Sequence, residues 1–285
     1  MLHRSTIQLL RFHFSFFLLP VYLFALSQVT TIDWQTAFFV FLILHLLVYP
    51  SSNGYNSYMD KDATPIGGLS KPLQPTKQLF KITVLMDILA IILSIFISIV
   101  FAAGVLIYIL VSKAYSYRGV RLKKFPITGF LAVFIFQGGL IFYIIFHACS
   151  IGQTAAVPLL PSIISSLLIG ALYPLTQIYQ HQEDIKDGVI TLSYLMGKKG
   201  TFIFSMIFFL LATALLYLLF EASSNLNYFY LYLLVLLPTV IFFLYWMYKV
   251  WKNDSAADFR HSLWMNILST LCTCIFFTTL IILNH

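Results

Sequence analysis

Apolar residues fall in nine long blocks, near 8–28, 34–53, 79–101, 104–118, 127–148, 156–179, 200–220, 227–248 and 262–283, separated by short polar segments. A helix needs ~20 predominantly apolar residues to cross a bilayer. The pattern therefore predicts an all-α polytopic membrane protein of nine transmembrane helices, forming one domain over residues 1–285. Only Ala102 and Ala103 separate the third and fourth blocks, which predicts a tight turn at Ala102-Ala103-Gly104 and a short fourth helix. Pro20, Pro174 and Pro238 fall inside blocks and predict kinks, which neighbouring helices accommodate. The first block carries no small-residue cleavage site, so it reads as a retained helix.

Composition sharpens this. Hydrophobic residues make up 60% of the chain and charged residues 9%, against roughly 25% charged in a soluble domain. The three cysteines, Cys149, Cys272 and Cys274, all lie in apolar blocks and form neither a disulfide framework nor a zinc pattern. The net charge of +7 invites a nucleic-acid reading, but its distribution explains it better. All Lys and Arg lie in segments 1–8, 54–78, 114–126, 180–199 and 249–261, or within about a turn of them. The intervening loops carry only Asp33 and Glu221. Positive residues flank the cytoplasmic ends of membrane helices. The expectation is a cytoplasmic N-terminus, an external C-terminus and no nucleic-acid or protein partner.

Two polar knots then stand out, both on the cytoplasmic side of that topology. Asn56 and Asp60 stand at i, i+4 on one helix face, and Asp62 follows before Pro65 and Gly67-Gly68 end any helix. Gln180, Asp184 and Asp187 stand at i, i+4, i+7 with Glu183 beside them, a polar stripe along two turns. Oxygen-only ligands suit Mg²⁺, which is held by a few carboxylates and substrate phosphates. The plainer reading is solvated loop charge balanced by Lys61 and Lys186; two clusters at matching positions in a chain with ten acids argue against it. Carriers place binding groups near the midplane on broken helices, so acids at helix ends count against transport.

These residues resemble the UbiA-type intramembrane prenyltransferases. That family's first motif, Asn-x-x-x-Asp with a later Arg-Pro-Leu, is matched by Asn56, Asp60 and Lys71-Pro72-Leu73. Its second is matched by Asp184, Gly188, Thr191-Leu192 and Met196-Gly197-Lys198-Lys199-Gly200-Thr201. Ala114-Tyr115-Ser116 followed by Arg121-Leu122-Lys123 is similar to the family's loop between helices four and five. Two positions depart: Thr64 and Gln180 stand where the family has Asp, with Asp62, Glu183 and Asp187 as substitutes.

The resemblance implies nine helices around a central cavity and Mg²⁺-dependent transfer of a prenyl group from a prenyl diphosphate to a small lipophilic acceptor, aromatic or quinone-precursor in type. It implies metal ligands at Asn56, Asp60, Asp62, Gln180, Glu183, Asp184 and Asp187. It also implies diphosphate contacts from Asn56, Lys71, Tyr115, Arg121 and Lys123, with Asp60 and Asp184 as the catalytic acids. Tyr58, Tyr115 and Tyr179 are the aromatics nearest the motifs, placed to face an allylic cation. An acid at membrane depth is functional by default, which makes Asp87 a candidate base, although a buried helix contact is the competing explanation. His181 and Gln137 are weaker polar candidates. A terpene cyclase on the same scaffold is the main alternative activity, and a membrane carrier the lesser one.

Overall fold

The computed structural model describes residues 2–285. Among these, nine helices are long and apolar enough to cross a membrane: α1 (Arg4–Gln28), α2 (Trp34–Asp60), α3 (Lys77–Ile95), α4 (Ile99–Ser116), α5 (Pro126–Cys149), α6 (Leu159–Gln177), α7 (Leu192–Ala222), α8 (Leu226–Lys252) and α9 (Phe259–Asn284). A short helix, His181–Lys186, lies between α6 and α7. No named strand forms among the described residues.

Local chemistry sets several helix ends. Asp33 caps α2 by accepting from Thr36 N at 3.1 Å, and Asp258 caps α9 by accepting from His261 N at 2.8 Å. Lys61 takes the left-handed conformation, φ 56°, that closes α2. Gly197, φ 70°, breaks the first turn of α7 from its long apolar body.

The expected turn at Ala102-Ala103-Gly104 is not there. The chain turns at 96–98, and Ser98 caps α4 by accepting from Phe101 N at 3.0 Å. Gly104 lies inside α4 because that helix meets α5 closely: a Cβ on Gly104 would stand 2.2 Å from Ile144 Cγ2. The glycine marks close packing, where the sequence suggested a breaker.

The helices pack as a bundle in which α1 lies against α9 and the far half of α5, α2 against α3, and α6 against α7. The largest core gathers residues of α1, α2, α4, α5 and α9, including Phe24, Val40, Phe101, Phe142 and Phe276. Outward faces carry exposed apolar side chains such as Phe96, Ile99, Leu234 and Ile241. An apolar surface that extensive needs lipid to cover it. Helices α2 and α5 each contain a π-helical turn, at Ile43–Val48 and Phe134–Leu140.

Loops 61–76, 117–125, 178–191 and 253–258 gather at one end of the bundle. Arg118 Nε donates to Met59 O at 3.0 Å, and Lys198 Nζ to Asp254 O at 2.8 Å. The main cavity, about 260 Å³, opens at this end and descends between α1, α2, α4, α5 and α6. A second chamber of about 270 Å³, almost wholly apolar, shares Phe17, Ile169 and Leu172 with it and lies toward α7, α8 and α9.

Candidate active site

Helix α2 carries Asn56 and Asp60 on the face that lines the cavity, and their spacing puts Asn56 Nδ2 2.8 Å from Asp60 Oδ2. The same amide donates to Ser116 Oγ on α4 at 3.0 Å. The left-handed residue Lys61 then releases the chain into a loop, and Asp62 on that loop also lines the cavity. From the other side, the short helix brings Gln180 and Asp184 to the same wall. Gln180 Nε2 donates to Pro65 O at 3.2 Å, so the two acidic loops touch.

Cations reach this cluster from two places. Lys123, on the loop after α4, sets its ammonium 2.5 Å from Asp60 Oδ2. Arg11 enters from α1, donating to Asn53 O at 3.0 Å and Asn56 Oδ1 at 3.4 Å. Arg11 is itself left-handed, φ 48°, a conformation costing an L-residue ~1–2 kcal/mol. Strain of this kind collects at functional sites. Here it breaks α1 so that the guanidinium reaches the cavity.

The loop beneath Arg11 needs glycine. Gly68 has φ 80°, and a Cβ on Gly67 would stand 2.6 Å from the Phe14 ring.

Positive charge does not balance the acids. Asp60 Oδ1 is buried without a hydrogen bond, with Arg121 Nη2 3.7 Å away. Burial first, and the Asp60 charge second, push the Asp62 carboxyl up to about 6, against the pull of Lys123 and Arg11. Burial likewise pushes Asp184 up to about 7; Lys123 opposes this, and Asp60, Asp62 and Asp187 add to it.

Other residues singled out from the sequence stand elsewhere. Asp187 is clamped by Arg121, which bonds its carboxylate and, at 2.9 Å, its carbonyl; Arg118 lies 3.3 Å away. Neither Asp187 nor Arg121 lines the cavity. Glu183 pairs with Lys186 at 2.7 Å, and Lys71 is exposed on its loop. Tyr58 packs on Phe80, with ring centroids 5.3 Å apart. His181 bonds Ser193 Oγ at 2.8 Å, and burial holds its ring down at about 4.

Asp87 sits between helices, 2.7 Å from Lys113 Nζ and 2.5 Å from Ser51 Oγ, off the cavity wall. Tyr115, Tyr179 and Gln137 do line the cavity.

Sequence reasoning missed Arg11, Tyr49, Tyr173 and Gln177, all of which line it. A signal existed only for Arg11, a lone arginine within the first apolar block. Tyr115 and Tyr173 are hydroxyl to hydroxyl, and Gln177 Nε2 donates to Tyr173 OH at 2.8 Å.

Among the described residues no group of three or more His, Cys, Asp or Glu side chains is assembled tightly enough to hold a metal ion unaided. The site is an acid-lined mouth leading into a cavity walled by aromatic and apolar side chains with a few polar ones, Gln137 and Gln177 among them. That arrangement suits a ligand with an anionic head and an apolar body, joined through cations that bridge the head to the carboxylates.

The description of the UbiA prenyltransferase family matches residues 15–270, and the chain belongs to that family. The fold is similar to that of a digeranylgeranylglyceryl phosphate synthase, at 22% identity over 98% of both chains with a TM-score of 0.63. It is similar to a UbiA homologue from Archaeoglobus fulgidus bound to DMAPP and Mg²⁺, at 16% identity over 97% of this chain and 99% of that one, TM-score 0.70. It is also similar to the apo structure of a UbiA homologue from Aeropyrum pernix K1, at 16% identity over 95% and 98%, TM-score 0.68. No protein of curated function gave a significant match by sequence.

Proposed function

We propose that this protein transfers the prenyl group of a prenyl diphosphate to a small lipophilic acceptor inside the membrane, with Mg²⁺ as cofactor. The observation that carries the reading is the convergence of Asp60 and Asp62, from the end of α2 and the loop after it, and Asp184, from the short helix after α6, on one cavity that runs into the bundle. The donor set suits Mg²⁺: it is all oxygen, Asp60 Oδ1 has no hydrogen bond, and the carboxylates are too few and too spread to enclose an ion. Diphosphate oxygens and waters would complete the coordination. Asn56, Asp60, Asp62, Gln180 and Asp184 are the residues that would hold it. When bound, the metal neutralises charge on the departing diphosphate. The same pairing of prenyl diphosphate and Mg²⁺ in relatives of this fold supports the assignment.

The chain's own groups do the rest. Lys123 and Arg11 stand at the mouth, where they can donate to diphosphate oxygens. The C1–O bond breaks with its electron pair leaving on diphosphate. The rings of Phe14, Tyr115, Tyr173 and Tyr179 line the space where allylic charge develops. The acceptor's nucleophilic atom bonds C1 and gives up its proton to solvent or diphosphate.

Labelled C10 to C20 prenyl diphosphates, incubated with purified protein, Mg²⁺ and an aromatic or quinol acceptor, are expected to yield a labelled lipid and free diphosphate. Chelation should stop both. Recovery of prenyl alcohol alone would overturn the transferase reading.

The acid-bearing end is proposed to face the cytoplasm, because loops 29–33, 96–98, 150–158 and 223–225 at the other end contain no Lys or Arg. Single cysteines at Ser70 and Ser223 in a cysteine-free background test this. An impermeant thiol reagent added to intact cells is expected to label position 223 and spare 70, and the reverse pattern would invert the topology.

A further inference from the structure

The floor of the main cavity is polar, and prenyl chemistry does not explain why. Tyr49, eleven residues before Asp60 on a regular stretch of α2, lies about 16 Å below it at 1.5 Å per residue. Its side chain is 1% exposed and its hydroxyl has no hydrogen-bond partner, although it lines the cavity. Gln137 faces the same space from α5, in contact with the Tyr108 hydroxyl. The Tyr108 ring stands 5.8 Å from that of Tyr49.

Each of these two polar groups is delivered by a π-helical turn. Ile43–Val48 immediately precedes Tyr49, and Phe134–Leu140 contains Gln137. Such turns carry an extra residue that re-aims side chains and often mark functional positions. The second is fixed by close contact, since a Cβ on Gly138 would stand 2.4 Å from the Ser166 backbone.

A buried hydroxyl without a partner is destabilising, and an isoprenoid tail offers it nothing. An occupant with oxygen atoms does. Among the described residues the cations on the cavity wall are Arg11 and Lys123, both beside the acids at the mouth. A carboxylate at the floor would be buried without a counter-charge.

Building on the transferase reading, we propose that the floor binds the acceptor, and that the acceptor is neutral. It is a phenol- or hydroquinone-type ring whose oxygen, remote from the alkylated carbon, meets the Tyr49 hydroxyl and the Gln137 amide. Carboxylated aromatic acids are excluded by the uncompensated charge.

The test uses full-length protein in nanodiscs, loaded with Mg²⁺ and non-ionising geranyl thiolodiphosphate. Binding of naphthohydroquinone is compared with that of its carboxylated counterpart, dihydroxynaphthoate, by tryptophan quenching. The neutral probe is expected to bind at least ~10-fold tighter. Tyr49→Phe should weaken it by ~10-fold, the loss of one hydrogen bond to a desolvated partner, with donor loading and thermal midpoint held. Gln137→Met is expected to act in the same direction. Equal or tighter binding of the acid, indifference to both substitutions, or no binding of either probe to loaded protein would each overturn the proposal. Failure of geranyl thiolodiphosphate to load counts instead against the prenyl diphosphate reading.

Discussion

Asp60→Ala and Asp184→Ala are each expected to cut turnover by ~10²-fold or more, the usual cost of removing one preorganised electrostatic group from a water-poor site. Both side chains line the cavity, Asp60 from the end of α2 and Asp184 from the short helix after α6, and the segments beside them meet through Gln180 and Pro65. The loss should appear in Mg²⁺-dependent binding of prenyl diphosphate as well as in rate. Asp60→Ala also frees Lys123 from its 2.5 Å contact, so some metal-independent affinity for diphosphate should survive in that variant. Asp184 acts on Lys123 only at longer range, so less affinity should survive in Asp184→Ala. Glu183→Ala is the control, because Glu183 pairs with Lys186 on the surface at 2.7 Å, and exposed pairs contribute little. Equal effects at positions 183 and 184 would remove the distinction between cavity-lining acid and loop charge.

That contrast shows how far the sequence could be read. Lipid imposes a strict demand on helix length and hydropathy, so nine apolar blocks map onto nine helices. The demand says little about turns between adjacent apolar blocks, which is why the α3–α4 turn falls at 96–98 while Gly104 packs against Ile144.

Helix α2 runs on to Asp60, past the end of its apolar block at 53, as the Asn56–Asp60 spacing implied, and for the opposite reason. Its last three turns, Tyr49–Asp60, are polar because Tyr49, Ser52, Asn53, Asn56 and Asp60 turn toward a cavity and away from lipid. Spacing correctly places Asn56 above Asp60, since i, i+4 neighbours follow from helix geometry alone. Spacing also sets Asp187 in line with Asp184, but Arg121 and Arg118 from another loop claim it. Arg11 escaped notice because a broken turn in α1, visible only in three dimensions, brings it to Asn53 and Asn56.

Incubation of the protein with Mg²⁺ and prenyl diphosphates but no acceptor is expected to give only background hydrolysis, with turnover restored when an aromatic or hydroquinone acceptor is added. A terpene cyclase would behave differently, forming hydrocarbon or alcohol catalytically from the donor alone, and it needs a base facing the folded chain. Asp87 was the sequence candidate for that base, yet it lies off the cavity wall, bonded to Lys113 at 2.7 Å and Ser51 at 2.5 Å. Its chemistry is that of a buried pair joining α2, α3 and α4. Breaking such a pair from one side strands a charge and costs about 3–5 kcal/mol, whereas replacing both partners is often neutral. Asp87→Asn is therefore expected to lower the thermal midpoint sharply and reduce activity through instability. The double variant Asp87→Asn with Lys113→Met should recover both stability and acceptor-dependent turnover. A stable double variant that binds donor normally yet turns nothing over would return Asp87 to the chemistry, and a cyclic product formed without acceptor would establish the cyclase.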